Sequence, residues 1–238
     1  VIGIIGAMDV EIEQLLLHML HTTRQEIDGQ TYIAGELERM PVVVTKSGVG
    51  KVNATIAAMT LIRQYSVKAI LFIGVAGALH PDLEIGDMII SNCCQEHDID
   101  ASILGFSRGT VPFQAVSEYP ADDKLVQQAL AAAVELQRSE QITIRAGKVL
   151  SGDQFISDKE VVSYLHNELG GDCVEMEGAA VAHTCYVTNT PYVVIRSMSD
   201  RADHQAPVDF DTFTELAAVR ACRLVKFMLH QMALAGTE

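Results

Sequence analysis

Short apolar runs alternate with segments of helical period from one end of the chain to the other. Residues 1–7 (Val1-Ile2-Gly3-Ile4-Ile5-Gly6-Ala7) lack polar positions and are short enough for a buried strand. Over 9–21, Ile12, Leu15, Leu16 and Met19 recur on one helical face. Extended pieces are then expected at 31–37 and 41–46, a helix at 52–64, a buried strand at 69–74 and another strand at 87–91. A long polar loop runs through Pro120. Beyond it the pattern predicts helix 122–136, strand 142–150, helix 159–167, strand 173–176, helix 177–187, strand 192–198 and a closing helix over 211–232. Strands interleaved with helices in this way predict an α/β fold, a central mixed or largely parallel sheet flanked by α-helices. No internal repeat, low-complexity segment or Pro/Gly/Ser-rich linker interrupts the rhythm, so residues 1–238 read as one domain.

Composition narrows the function. At 238 residues and 49% hydrophobic content the chain can bury a large core. Its formal net charge of −14 excludes the basic surface that nucleic acid or an anionic membrane would require, and favours a small neutral or cationic ligand. No apolar run approaches the roughly 20 residues that span a bilayer. The opening strand has no basic lead-in and no signal-like cleavage site. Five cysteines, an odd number without a CxxC pair, fit a reducing compartment, so the cytoplasm is the expected location. The first residue is Val1 rather than methionine, so a few residues, or a processed leader, are expected ahead of it.

Acidic residues stand where strands end. Glu175 and Glu177 flank Met176 at the junction of an apolar run with an alanine-rich helical one, Asp200 follows the strand at 192–198, and Glu11 follows the opening strand. Carboxylates placed there cost burial energy unless a partner or ligand uses them, and α/β sheets bind ligands at strand ends. One acidic pocket accounts for all of them. Glu175 has Arg196 as a possible ion-pair partner, whereas Glu177 and Asp200 lack an obvious basic neighbour apart from Arg201.

Other motifs say less. Ser47-Gly48-Val49-Gly50-Lys51 fails the phosphate-loop pattern, with Thr45 where a glycine belongs and Val52 where a hydroxyl belongs. Gly3-Ile4-Ile5-Gly6 and Gly74-Val75-Ala76-Gly77 fail the dinucleotide spacing. These glycines serve either close approach to a ligand or tight turns. Cys93-Cys94-Gln95-Glu96-His97-Asp98-Ile99-Asp100 holds metal-ligand types without paired spacing, so a turn into the 101–120 loop is expected there rather than a metal site. That loop carries Leu104, Phe106, Pro112 and Phe113, which would be poorly placed in water unless they cover a pocket or meet another subunit. Phe155, next to a glycine turn after the strand at 142–150, is either a core residue or an aromatic face for a flat heterocycle.

Taken in order, Gly3-Ile4-Ile5-Gly6-Ala7-Met8 with Glu11, Lys46 to Val52, Ser151-Gly152-Asp153 with Phe155-Ile156, Val174 to Glu177, and Ser199-Asp200 with Ala202-Asp203 resemble one known family along essentially the whole chain. It is the bacterial 5′-methylthioadenosine/S-adenosylhomocysteine nucleosidases of the nucleoside phosphorylase/hydrolase superfamily. The resemblance implies Glu11 as the base that activates water, Asp200 as the acid that protonates adenine N7, and Glu177 as acceptor for the ribose 2′ and 3′ hydroxyls. It implies Met176 under the ribose, Phe155 stacked on the purine and Ile156 offering backbone hydrogen bonds to its edge. Met8, Val49 and Phe210 fall at the apolar 5′ end, and Ala76 and Glu175 complete the substrate-lining set. Ser199 and Arg196 are implied to hold Asp200. A homodimer is implied, with Leu104 and Pro112 reaching the neighbour's 5′ pocket, and no cofactor or metal.

The family's Gly-Ser-Ala-Gly-Gly run reads Gly74-Val75-Ala76-Gly77-Ala78 here, losing a hydroxyl near the sugar and water. At the 5′ end, Ala101, Leu104 and Phe106 stand where better-known members are bulkier or carry a hydroxyl. Three rival readings accompany the resemblance. Phosphorolysis needs cations for its nucleophile, whereas the first turn offers Asp9, Glu11 and Glu13. Hydrolysis of 6-amino-6-deoxyfutalosine is a second, and a non-catalytic nucleoside-binding or storage protein a third.

Overall fold

The computed structural model describes residues 1–203 and 205–235. The elements run β1 (Ile2–Gly6), α1 (Asp9–Leu16), β2 (Leu20–Ile27), β3 (Gln30–Leu37), β4 (Met40–Lys46), α2 (Lys51–Gln64), β5 (Ala69–Ala78) and β6 (Met88–Glu96). After a single 3-10 turn (Ser102–Leu104) come β7 (Glu118–Pro120), α3 (Asp123–Glu140), β8 (Ile144–Ser151), α4 (Lys159–Asn167), β9 (Cys173–Glu175), α5 (Gly178–Thr188), β10 (Tyr192–Asp200) and α6 (Ala206–Ala235).

One ten-stranded mixed sheet organises these elements, as the α/β pattern predicts. Its strands follow the order β10-β6-β8-β9-β5-β1-β4-β3-β2, with β7 beside β6. The sheet curls until β10 also pairs with β5, which joins β5, β10, β6, β8 and β9 into a closed ring. Closure leaves that part of the sheet without a free edge. β1, β5 and β10 run parallel, and β9 lies antiparallel to β5 through Gly77↔Val174 and Ala78↔Cys173. This short pairing carries the Glu175–Glu177 segment to the carboxyl ends of β5 and β10.

The core follows from composition. Every residue of β1, β5 and β10 is buried, which explains why these strands read as continuous apolar runs instead of alternating ones. Among the described residues no helix is long and apolar enough to cross a membrane.

The elements differ from the expected ones at identifiable places. α1 stops at Leu16, short of the expected end at 21, and a whole strand, β2, occupies the interval left unassigned between that helix and the extended piece expected at 31–37. Its residues are almost all exposed on a sheet edge, so burial imposes no alternation there. β6 extends to Glu96, so Cys93, Cys94, Gln95 and Glu96 pair with β8 rather than turning the chain. β5 and β10 run on through the glycine and serine positions to Ala78 and Asp200. α6 begins at Ala206, which places Phe210 on a helix.

Candidate active site

Glu11 occupies the first turn of α1, and its carboxylate bends back to accept the N–H groups of Ala7 (2.6 Å) and Met8 (2.9 Å) and, across the sheet, of Val75 (3.0 Å). The Met8 bond is the acidic half of a capping box, which satisfies one of the helix's orphan donors. Burial pushes the Glu11 carboxyl above its ordinary value, against the opposing pull of Arg196 and these three amides. Asp200 ends β10. Its Oδ1 accepts the Ala202 N–H (2.8 Å) and its Oδ2 the Ser199 hydroxyl (2.9 Å). Burial raises this carboxyl as well, more than those two hydrogen bonds lower it.

Glu177 caps α5 and accepts the Gly50 N–H at 2.7 Å. Gly50 has φ +96°, a conformation only glycine adopts easily, and it turns this amide toward the carboxylate. The glycine segment before α2 is therefore a turn that brings its backbone against the Glu177 carboxylate. Burial first, then the Glu175 charge, pushes Glu177 up to about 8.

These three carboxyls line one cavity of about 310 Å³ together with Met8, Val49, Ala76, Phe155, Ile156, Glu175, Met176, Ser199 and Phe210. Phe155 is half exposed and meets Phe210 edge to face, ring centroids 5.6 Å apart, so its ring is a mouth residue and not a core one. Apart from the acids, Ser199 and Gln154 the lining is apolar, and it contains no lysine or arginine. Such a wall suits a flat, uncharged heterocycle with a few placed polar groups.

A profile of the phosphorylase superfamily matches residues 1–230. Over 232 residues the chain is 38% identical to a 5′-methylthioadenosine/S-adenosylhomocysteine nucleosidase of a Marinomonas species, covering 96% of this chain and 98% of that one. The chain belongs to this nucleosidase family. The solved family structure from Neisseria meningitidis, in complex with methylthio-immucillin-A, superposes with a TM-score of 0.91 at 33% identity, over 97% of this chain and 98% of that one. A futalosine hydrolase of Helicobacter pylori superposes with a TM-score of 0.90 at 33% identity, over 97% of each chain.

Against the family expectation, two residues have different duties. Arg196 does not hold Asp200. Its guanidinium donates to Glu175 through Nη2 (2.5 Å) and Nε (3.1 Å) and lies 4.1 Å from the centre of the Phe72 ring. Ser199 alone of that pair touches Asp200. Glu175 borders the cavity, yet its oxygens are taken by Arg196, by the Glu177 and Gly178 amides at the start of α5, and by the Ser151 hydroxyl. It is an ion-pair partner and a helix-end acceptor rather than a free ligand group. Arg201 pairs with Glu84, and among the described residues no cation forms an ion pair with Asp200. Asp9 and Glu13 are exposed, and Asp9 pairs with Lys46, so of the acids Asp9, Glu11 and Glu13 only Glu11 faces the cavity. Leu104 and Pro112 lie outside the cavity of their own chain, with Leu104 67% exposed.

The backbone donors at Ala7, Val75 and Gly50, and the Ser151 hydroxyl, are not visible as chemistry in a sequence. The strand-end glycines were their only signal. Asp98, set aside among the metal-ligand types, fastens the site from outside. It accepts from Lys51 Nζ (2.6 Å) and the Asp153 amide (2.9 Å), while the Asp153 carboxylate accepts the Lys51 amide (2.9 Å).

Proposed function

We propose that the chain hydrolyses the N-glycosidic bond of 5′-methylthioadenosine and S-adenosylhomocysteine, releasing adenine and the 5-thio-substituted ribose. The observation that carries the reading is the meeting of Glu11, Glu177 and Asp200, all buried with raised pKa, around one apolar cavity. Cleavage passes through a cationic, oxocarbenium-like sugar and needs a proton on the departing base. Adenine sits between Phe155 and the Ile156 backbone, with the ribose over Met176 and its hydroxyls on Glu177. The 5′ group points to Met8, Val49 and Phe210.

Glu11 takes a proton from water as its oxygen bonds to C1′. The C1′–N9 bond breaks with its electrons passing to the base, and Asp200 delivers its proton to N7. A raised pKa serves both groups, making Glu11 a stronger base and keeping Asp200 closer to its protonated form. Every step uses carboxyls of the chain. An anionic nucleophile such as phosphate would meet Glu11 and Glu177 with no lysine or arginine in the cavity wall, which favours water.

Residues 1–238 act as one nucleosidase domain, and the five free cysteines fit a cytoplasmic setting. The working unit is a homodimer. Val52 (71% exposed) on α2 and Val187 (66%) on α5, with Leu104 on the long loop, offer the apolar surface for it. Leu104 and Pro112 of each protomer close the 5′ end of the other's cavity. Sedimentation at assay concentration tests this, and a fully active monomer contradicts it.

The functional test is adenine release from methylthioadenosine, S-adenosylhomocysteine, 5′-deoxyadenosine and 6-amino-6-deoxyfutalosine, each supplied separately. Turnover of the two thio-substituted nucleosides is expected. Adenine from none of the four overturns the reading, and adenine from the futalosine derivative alone transfers it to the activity named for the Helicobacter pylori neighbour.

A further inference from the structure

β5 is buried along its whole length and carries two glycines near its carboxyl end, Gly74 and Gly77. Neither has a positive φ, so the backbone there would accept any L-residue. What excludes a side chain is the space in front of them. A Cβ on Gly74 would stand 2.5 Å from Glu11 Oε1 and 3.0 Å from Glu11 Cδ. A Cβ on Gly77 would stand 2.7 Å from Asp200 Oδ1 and 2.9 Å from Ala202 Cβ. All four distances fall inside van der Waals contact.

We propose that Gly74 and Gly77 are positioning residues whose missing side chains form the seats of the Glu11 and Asp200 carboxyls, so that one strand sets the base and the acid relative to each other. The proposal rests on the nucleosidase reading for the roles of those two acids.

Each seat is closed by a backbone donor. Glu11 Oε1, over Gly74, accepts the Val75 N–H, and Asp200 Oδ1, over Gly77, accepts the Ala202 N–H. Two irregularities of the chain build the second seat. A shift in the β5–β10 register between Met198 and Asp200 brings Asp200 opposite Gly77, where an unbroken register would place Ser199. Ala202, at φ +51°, is in the left-handed region that non-glycine residues enter at a cost, and this turn aims its amide back at Asp200. With Oδ1 held between the amide and Gly77, Oδ2 is the oxygen that carries the proton to the base, and the Ser199 hydroxyl donates to it.

Two measurements on the full chain test the proposal. In the first, Gly74→Ala is made in the native chain and in Glu11→Ala, where Oε1 and Cδ are gone. The melting temperature should drop by several degrees in the native background and by less than half as much in the other. Equal drops would show that the methyl is rejected by something besides the carboxyl and would overturn the Gly74 seat. This arm uses no substrate, so it can fail or succeed independently of the nucleosidase reading, which fails instead if the native protein releases no adenine.

In the second, Gly77→Ala is combined with Ala202→Gly to relieve the methyl contact, and is compared with Ala202→Gly alone. On an adenine nucleoside kcat should fall by about 10²-fold with KM within about threefold, because the acid is displaced while the binding surfaces stay. On a 5-thioribosyl substrate with an activated leaving group the fall should be under about tenfold, since no proton is needed. Equal falls on both substrates, or a change in KM alone, would overturn the Gly77 seat.

Discussion

Removing the buried guanidinium by Arg196→Met should destabilise the protein strongly and make the acidic site harder to ionise. Arg196 is 1% exposed and Glu175 8%, and the pair is joined through two guanidinium nitrogens. Deleting one member of such a pair leaves an uncompensated buried charge and costs about 3–5 kcal/mol. For a chain of this size each kcal/mol corresponds to about 2–4 °C in melting temperature, so a fall of roughly 6–20 °C is expected. The double variant Arg196→Met/Glu175→Gln carries no buried charge at that point, and its amide oxygen still accepts the Gly178 N–H; it should recover more than half of the loss. Arg196 also opposes the raised pKa values of Glu11 and Glu177, so the acidic limb of the rate profile should move to higher pH in Arg196→Met. Urea unfolding followed by circular dichroism serves as the assay, since the chain has no tryptophan to report by fluorescence. A loss below about 1 kcal/mol, or a double variant no more stable than the single one, would refute the assignment of Glu175 and Arg196 as a mutually dependent pair.

Glu11→Gln keeps the volume and removes the base; kcat should fall by about 10²–10⁴-fold while binding of a non-hydrolysable substrate analogue changes little, and near-native turnover would place the base elsewhere. Asp200→Asn should suppress hydrolysis of adenine nucleosides far more than that of a substrate with an activated leaving group, and equal losses would make Asp200 structural. The pH dependence of stability has a definite sign. Glu11, Glu177 and Asp200 all have raised folded-state values, so the stability tied to their protonated forms is present below the ordinary carboxylate range. For Glu177 it is lost as pH rises from the ordinary value of 4.5 through about 8. The melting temperature should therefore fall across that interval and the fall should flatten in Glu177→Gln; an unchanged slope would contradict the raised value.

The α/β rhythm and the acids at strand ends were legible because β1, β5 and β10 are buried on every residue and because a carboxylate at the end of such a strand has few uses. Pattern alone missed β2, whose exposed edge position places no apolar demand on its residues. Closure of the ring through β10 and β5 was equally hidden, since pairing between strands more than a hundred residues apart leaves no local periodicity. Within the site, the Glu175–Arg196 ion pair could be named from the sequence, whereas the backbone amides that hold Glu11, Glu177 and Asp200 could not. Arg196 is four residues from Asp200 in the chain, yet its guanidinium reaches the Glu175 carboxylate. The glycines of β5 looked like ligand-approach or turn residues, whereas the space in front of them is filled by Glu11 and Asp200.

Turnover of methylthioadenosine in the presence of radiolabelled inorganic phosphate tests most directly whether water activated by Glu11 opens the glycosidic bond. Adenine should appear at the same rate with and without phosphate, accompanied by free 5-methylthioribose that carries no label. A labelled 5-methylthioribose 1-phosphate would contradict hydrolysis and would require a cationic nucleophile site that the lining of this cavity does not contain.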